Sequence, residues 1–176
     1  MNQGPFRFPW RDRRRKNRNR SGLSDNEAFD KAISFFWRLG EIASSYNVTL
    51  CLEPNPDVYN SNFMTTSKET LNIVKATNHP GIKMQLDTGA IILNNESLGE
   101  ILPLISTEVG HIHISEPYLS VIGASDTNHK NLAKYLKKIF SNSLATIEMV
   151  ATKQEVHLSS IDRAIKCVIS NYRDNL

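Results

Sequence analysis

The chain has 176 residues, 40% hydrophobic and 22% charged, which suits one globular domain with a core of its own. No apolar run approaches the roughly 20 residues that span a bilayer, and no signal-peptide core is evident near residue 1, so neither a membrane-spanning helix nor a secretion signal is expected. The net charge of +3 is unevenly spread: residues 1–20 carry eight basic side chains against Asp12 alone, and the rest carries 13 basic against 17 acidic.

Residues 1–23 therefore read as a basic, disordered leader, and residues 24–176 as the folded, mildly acidic body. No aromatic-interleaved motif accompanies the basic charge, so a solvated leader is favoured over a nucleic-acid-binding arm. Ser24-Asp-Asn-Glu27 is a capping box, and Phe29, Ala32, Ile33, Phe36, Gly40 and Ala43 follow at helical spacing, which predicts a helix over 25–46. Strand residues 48–52 come next, then a turn-rich loop from Pro54 to Phe63. A helix over 67–77 is stopped by Asn78-His-Pro-Gly81 and followed by a strand over 82–86. A helix over 98–105, a strand over 109–114, a helix over 131–140 and a strand over 145–149 succeed one another. Leu158, Ile161, Ile165, Val168 and Tyr172 mark a closing helix.

Strict alternation of helices and strands predicts an α/β fold with parallel βα repeats and right-handed crossovers. The four strands share a pattern. Cys51 and Glu53, Gln85 and Asp87, His111 and His113, and Thr146 and Glu148 lie on one face of each strand. The opposite faces carry Leu50 and Leu52, Met84 and Leu86, Ile112 and Ile114, and Ile147 and Met149. A parallel sheet covered on both sides should be apolar on both. One polar face on every strand instead fits the lumen of a (β/α) barrel. No Gly-rich phosphate turn follows any strand, which weakens a dinucleotide-binding reading.

Glu53, Asp87, His113 and Glu148 end the four strands at intervals of 34, 26 and 35 residues, about one strand-helix unit each. Parallel strands would bring all four to one sheet edge. Three carboxylates and an imidazole there suit one divalent ion: Mn2+, Mg2+, Co2+ or Zn2+. Singly, each is better explained as a helix cap or a surface group; in phase on successive strands the four favour a site. Such a site would take a small sugar or hydroxy-ketone, with carboxylates moving a proton next to the carbonyl. His111, deeper on the same face, reads as a hydrogen-bonded support. Glu116 reads either as a group that touches substrate or orients His113, or as a loop carboxylate facing solvent. Asp126 and His129 read as helix caps, with substrate contact as the alternative. His79 and His157 read as surface residues, and Cys51 as lumen packing. With two cysteines and no disulfide framework, a reducing, cytoplasmic setting is expected.

The segments Leu-Glu53-Pro-Asn55-Pro, Gln-Leu-Asp87-Thr-Gly, Gly-His-Ile-His113-Ile-Ser-Glu116 and Ile-Glu148-Met resemble the last four strands of the xylose isomerase-like TIM barrel family, which includes sugar-phosphate isomerases and epimerases, ketose 3-epimerases, inosose dehydratases and type 2 AP endonucleases, and so imply a sugar or sugar-phosphate isomerase or epimerase. The resemblance implies Glu53, Asp87, His113 and Glu148 as metal ligands, and Glu53 and Glu148 as the acid/base pair of a proton transfer through an enediolate. It also marks Asn55, His111, Glu116 and His129 as substrate or supporting residues. Ketose epimerases of this type carry a His where Ala90 stands and an Arg where Leu119 stands. A TIM barrel has eight strands and about 250 residues. The resemblance therefore covers the C-terminal half, strands five to eight, of a (β/α)8 barrel, an arrangement expected to self-associate or to meet a complementing N-terminal half. An inactive barrel fragment is the alternative to an isomerase or epimerase, and an AP endonuclease-like, nucleic-acid-directed protein is the third reading.

Overall fold

The structure is a computed structural model that describes residues 22–140 and 143–173. Of the basic leader expected over residues 1–23, residues 1–21 lie outside the described residues. The elements follow in the order α1 (Asp25–Ser45), β1 (Leu50–Leu52), α2 (Ser67–Thr77), β2 (Ile82–Asp87), α3 (Thr88–Leu93), α4 (Leu98–Ile105), β3 (Val109–Ile114), α5 (His129–Ile139), β4 (Ala145–Ile147) and α6 (His157–Tyr172). The four strands form one parallel sheet in the order β1-β2-β3-β4.

Local chemistry sets most boundaries. The Ser24 backbone N–H donates to Glu27 Oε2 at 2.8 Å, and Ser24 Oγ accepts from the Glu27 N–H, completing the capping box of α1. Thr66 caps α2, and Asn78 ends it in the left-handed conformation that asparagine tolerates. The short helix α3 has no amphipathic period. It forms because Asp87, at the end of β2, accepts the Ala90 N–H at 2.6 Å and caps it. Both α1 and β1 are shorter than the periodicity predicts, and β4 ends at Ile147, two residues early.

The helices cover one face of the sheet. Outside it α1, α2, α4, α5 and α6 pack in sequence, each against the next. Leu52, Met84, Leu86, Ile112 and Ile114 point into this layer and are buried with Ile73, Leu102 and Ile105. The opposite face carries the half-buried Cys51, Lys83, Gln85, His111 and His113. The polar face of every strand thus looks away from the helices, as in a barrel wall. Among the described residues no helix is long and apolar enough to cross a membrane.

The structure corrects the surface placement of His79. Its ring is buried between α1 and the turn into β2, where Nδ1 accepts the Gly81 N–H at 3.0 Å. Nε2 therefore carries the proton and meets Glu41 Oε1 at 2.7 Å. A Cβ on Gly40 would overlap this ring, so the glycine makes room for it. His157 is exposed, as expected.

Candidate metal centre

Strand register assembles the centre. Asp87 on β2 pairs directly with His113 on β3, and His113 with Thr146 on β4, two residues before Glu148. Glu53 follows the last residue of β1, beside Gln85, whose Nε2 donates to Glu53 Oε1 at 2.7 Å. One ligand-type atom from each of Glu53, Asp87, His113 and Glu148 lies within 4.8 Å of all the others. Ligands 2.0–2.4 Å from a shared ion stand no more than about 4–5 Å apart, so the spacing fits one divalent cation.

The electrostatics fit as well. His113 Nδ1 faces Gln85 Nε2 at 2.8 Å, Glu148 Oε2 at 3.0 Å and Glu53 Oε1 at 3.6 Å. Acceptor oxygens and an imidazole nitrogen converge; Gln85 Nε2 donates to Glu53, and Asp87 accepts from the Ala90 N–H and Ser115 Oγ. Burial raises the Glu53 carboxyl above its ordinary range, and the Asp87 and Glu148 charges add to this. Burial also raises Asp87, aided by Glu148, although Ser115 Oγ donates to its Oδ2 at 2.6 Å. A set of carboxylates whose ionised forms disfavour one another calls for a positive charge at its middle.

Around the cluster is a cleft of about 170 Å3, lined by Asn55, Pro56, Tyr59, Ala90 and Leu119 with the carboxylates. Burial first, then the Asp87 and Glu148 charges, push the Tyr59 hydroxyl up to about 12, so it is a neutral donor at physiological pH. Sequence reasoning missed Tyr59, which lies in a loop with no periodicity. It also missed Ser115, which strand alternation beyond His113 would have placed on the ligand face.

The other candidates are distributed differently. Asn55 is at the cleft, its backbone N–H donating to the Met64 carbonyl at 2.8 Å. His111 lies edge-on to His113, with ring centres 5.3 Å apart, and its Nε2 is 2.9 Å from Thr146 Oγ1. Glu116 is fully buried, not solvent-facing: its Oε1 accepts the Gly123 N–H at 2.7 Å and meets His129 Nε2 at 3.0 Å. His129 does not cap α5, which Asn128 does through the Asn131 N–H. The His129 ring is instead buried between Glu116 and the Tyr172 hydroxyl, 2.9 Å from Nδ1. Asp126 is exposed in the preceding loop.

A family model for the xylose isomerase-like TIM barrel matches residues 9–165. The chain is 22% identical over 120 residues to D-psicose 3-epimerase of Ruminiclostridium cellulolyticum, covering 68% of this chain and 41% of that enzyme. It is 21% identical over 132 residues to L-ribulose 3-epimerase of a Methylomonas species, covering 75% and 46%. The matches thus span less than half the length of these relatives. A solved structure of D-allulose 3-epimerase from Methylomonas, in complex with D-allulose, superposes with a TM-score of 0.73 at 19% identity, covering 86% of this chain and 58% of that one. At that identity the likeness establishes the fold.

Proposed function

The chain belongs to the xylose isomerase-like TIM barrel family, and on that premise we propose that it is a divalent-metal-dependent sugar isomerase or epimerase of the ketose 3-epimerase kind. The observation that carries this reading is the convergence of Glu53, Asp87, His113 and Glu148 at one edge of a parallel sheet. These four would hold the ion, which when bound would polarise a sugar carbonyl and acidify the neighbouring C–H.

Glu53 and Glu148 are the acid/base pair in this proposal. Their side chains keep 40% and 36% exposure, enough to reach a substrate, while Asp87 is buried and fixed by two hydrogen bonds. One carboxylate removes the proton beside the carbonyl, and the other returns one to the opposite face of the enediolate. Gln85 steadies Glu53, and His111 buttresses His113. Tyr59 and Asn55 line the substrate side of the cleft.

In the same proposal, residues 24–176 are strands five to eight of an eight-stranded barrel. Support comes from the order of the four motifs and from the faces left exposed beside the two sheet edges. Ile42 on α1, Tyr46 just after it, and Leu158, Ile161, Ile165 and Ile169 on α6 are exposed large hydrophobics. Four further strands, from a second copy or a complementing half, would cover them and close the lumen.

The test is solvent exchange. Full-length protein loaded with Mn2+ should introduce deuterium from D2O at C3 of D-fructose or D-psicose, and Asp87→Asn should abolish it. Full metal occupancy without exchange on either ketose would leave a cation-binding barrel fragment and sink the catalytic reading.

A further inference from the structure

Two cavities meet at Leu119. The cleft at the metal cluster encloses about 170 Å3. On the other side of Leu119 lies a cavity of about 550 Å3, between the loops that follow β3 and β4, whose walls include Val121, Ala124, Val150, Thr152 and Arg163. Pockets for small organic ligands run roughly 300–1,000 Å3. The first space is below that range, and the second lies within it.

The partition is built at a conformational cost. Tyr118 and Leu119 are consecutive non-glycine residues with φ of 61° and 53°. Each such residue costs on the order of 1–3 kcal/mol, and this kind of strain concentrates at functional sites. The turn is tied at both ends: the Leu119 N–H donates to the Glu116 carbonyl, and the Val150 N–H to the Leu119 carbonyl, each at 2.9 Å. The strain sets Leu119 where it lines both cavities and Tyr118 where it lines the second and packs edge-on against Tyr59 of the first.

The charge of the larger cavity is neutralised internally. Arg163 Nη2 donates to Glu155 Oε2 at 2.7 Å, and Nη1 donates to Oε1 of the same carboxylate. A phosphate would have to displace this fork-to-fork pair. The remaining wall combines aliphatic carbons with Ser120, Ser125, Thr152 and Gln154, a surface for hydroxyls on an apolar ring face.

We propose that the cavity beyond Leu119 is a second subsite, which takes an uncharged, hydroxyl-bearing sugar ring attached to the reacting ketose, with Leu119 as the divider that selects for such two-ring substrates. The subsite rests on the sugar-epimerase reading of the metal cluster. Its test is binding, measured by saturation-transfer NMR on the Mg2+-loaded full chain with three probes. These are D-fructose, isomaltulose (fructose bearing a glucosyl ring) and fructose 6-phosphate. Isomaltulose should bind about tenfold more tightly than fructose, and fructose 6-phosphate no more tightly than fructose. Ala124→Trp and Thr152→Trp fill the cavity from opposite loops, and each should bring the isomaltulose-to-fructose ratio close to one. Ala124 is exposed, so a tryptophan there displaces nothing from the core. Equal affinities, a ratio unmoved in both variants, a preference for the phosphate or no binding of either neutral sugar would overturn the subsite. Failure of the epimerase reading shows separately, as absence of C3 deuterium exchange at full metal load.

Discussion

His113 Nδ1 and Glu148 Oε2 stand 3.0 Å apart, although 35 residues separate them in the chain. The contact crosses from β3 to the residue after β4, and Glu53, which follows β1, approaches the same nitrogen at 3.6 Å. An imidazole nitrogen and three carboxylates within 4.8 Å of one another form the donor set of the proposed cation site.

That arrangement predicts strong coupling between metal and stability. At a hundredfold excess over its Kd, a cation that binds only the folded chain adds about 2.7 kcal/mol. For a domain of this size, thermal unfolding should move up by roughly 5–10 °C with Mn2+. Asp87→Asn and His113→Ala should lose most of this shift, measured by differential scanning fluorimetry with and without metal and by elemental analysis of the dialysed protein.

Gly89 should prove essential to the site and Gly110 only to the fold. A Cβ at Gly89 would come 2.8 Å from the Glu116 carbonyl oxygen and from Ser115 Oγ, the hydroxyl that holds Asp87. A Cβ at Gly110 would meet Lys83 Cβ at 2.8 Å and Cys51 Sγ at 2.9 Å, near the opposite end of the strands. Overpacking should lower the stability of both alanine variants by about 1–3 kcal/mol in urea. Titration with Mn2+ should show weakened affinity in Gly89→Ala alone.

Glu116 should govern part of the acid limb of stability. Burial alone would raise its carboxyl, but hydrogen bonds from His129 and the Gly123 N–H help to outweigh burial and hold it below the ordinary carboxylate range. The unfolded chain then takes up this proton more readily than the folded one. The stabilisation is complete above the unfolded value, about 4.3, and is lost as pH falls through the lower folded value. Glu116→Gln should flatten the dependence of the urea midpoint on pH below about 5. It should also destabilise the chain at neutral pH by about 1–2 kcal/mol, because a neutral amide oxygen replaces the carboxylate as acceptor from His129 and the Gly123 N–H. An unchanged acid limb would remove Glu116 from this role.

The apolar row on α6 should make the chain self-associate. Ile165 and Ile169 each keep more than two-fifths of their surface exposed, beside the β4 edge. In sedimentation velocity the wild-type protein should run above the mass of one 19.9 kDa chain. Ile165→Glu combined with Ile169→Glu should run as a monomer with unchanged circular dichroism.

Much of the fold is legible in the residues. The capping box at Ser24 and Glu27, the helical spacing of α2 and the period-two alternation of His111 and His113 are local codes, read within a few residues of each other. Helix α3 is not legible, because its sequence has no apolar stripe and it depends on the Asp87 cap. The burial of His79, Glu116 and His129 is equally hidden. A histidine or glutamate in a loop looks the same whether it meets solvent or a partner 13, 38 or 43 residues away.

By itself the sequence determined the α/β alternation, the polar and apolar faces of each strand, and four ligand-type residues at matching strand ends, because side-chain direction follows from backbone periodicity. Only the tertiary structure decided that those four atoms lie within 4.8 Å, that Glu116, His129 and Tyr172 form one buried network, and that Leu119 divides two cavities. Those properties depend on register between strands and on the path of loops, which long-range packing selects and local pattern does not encode.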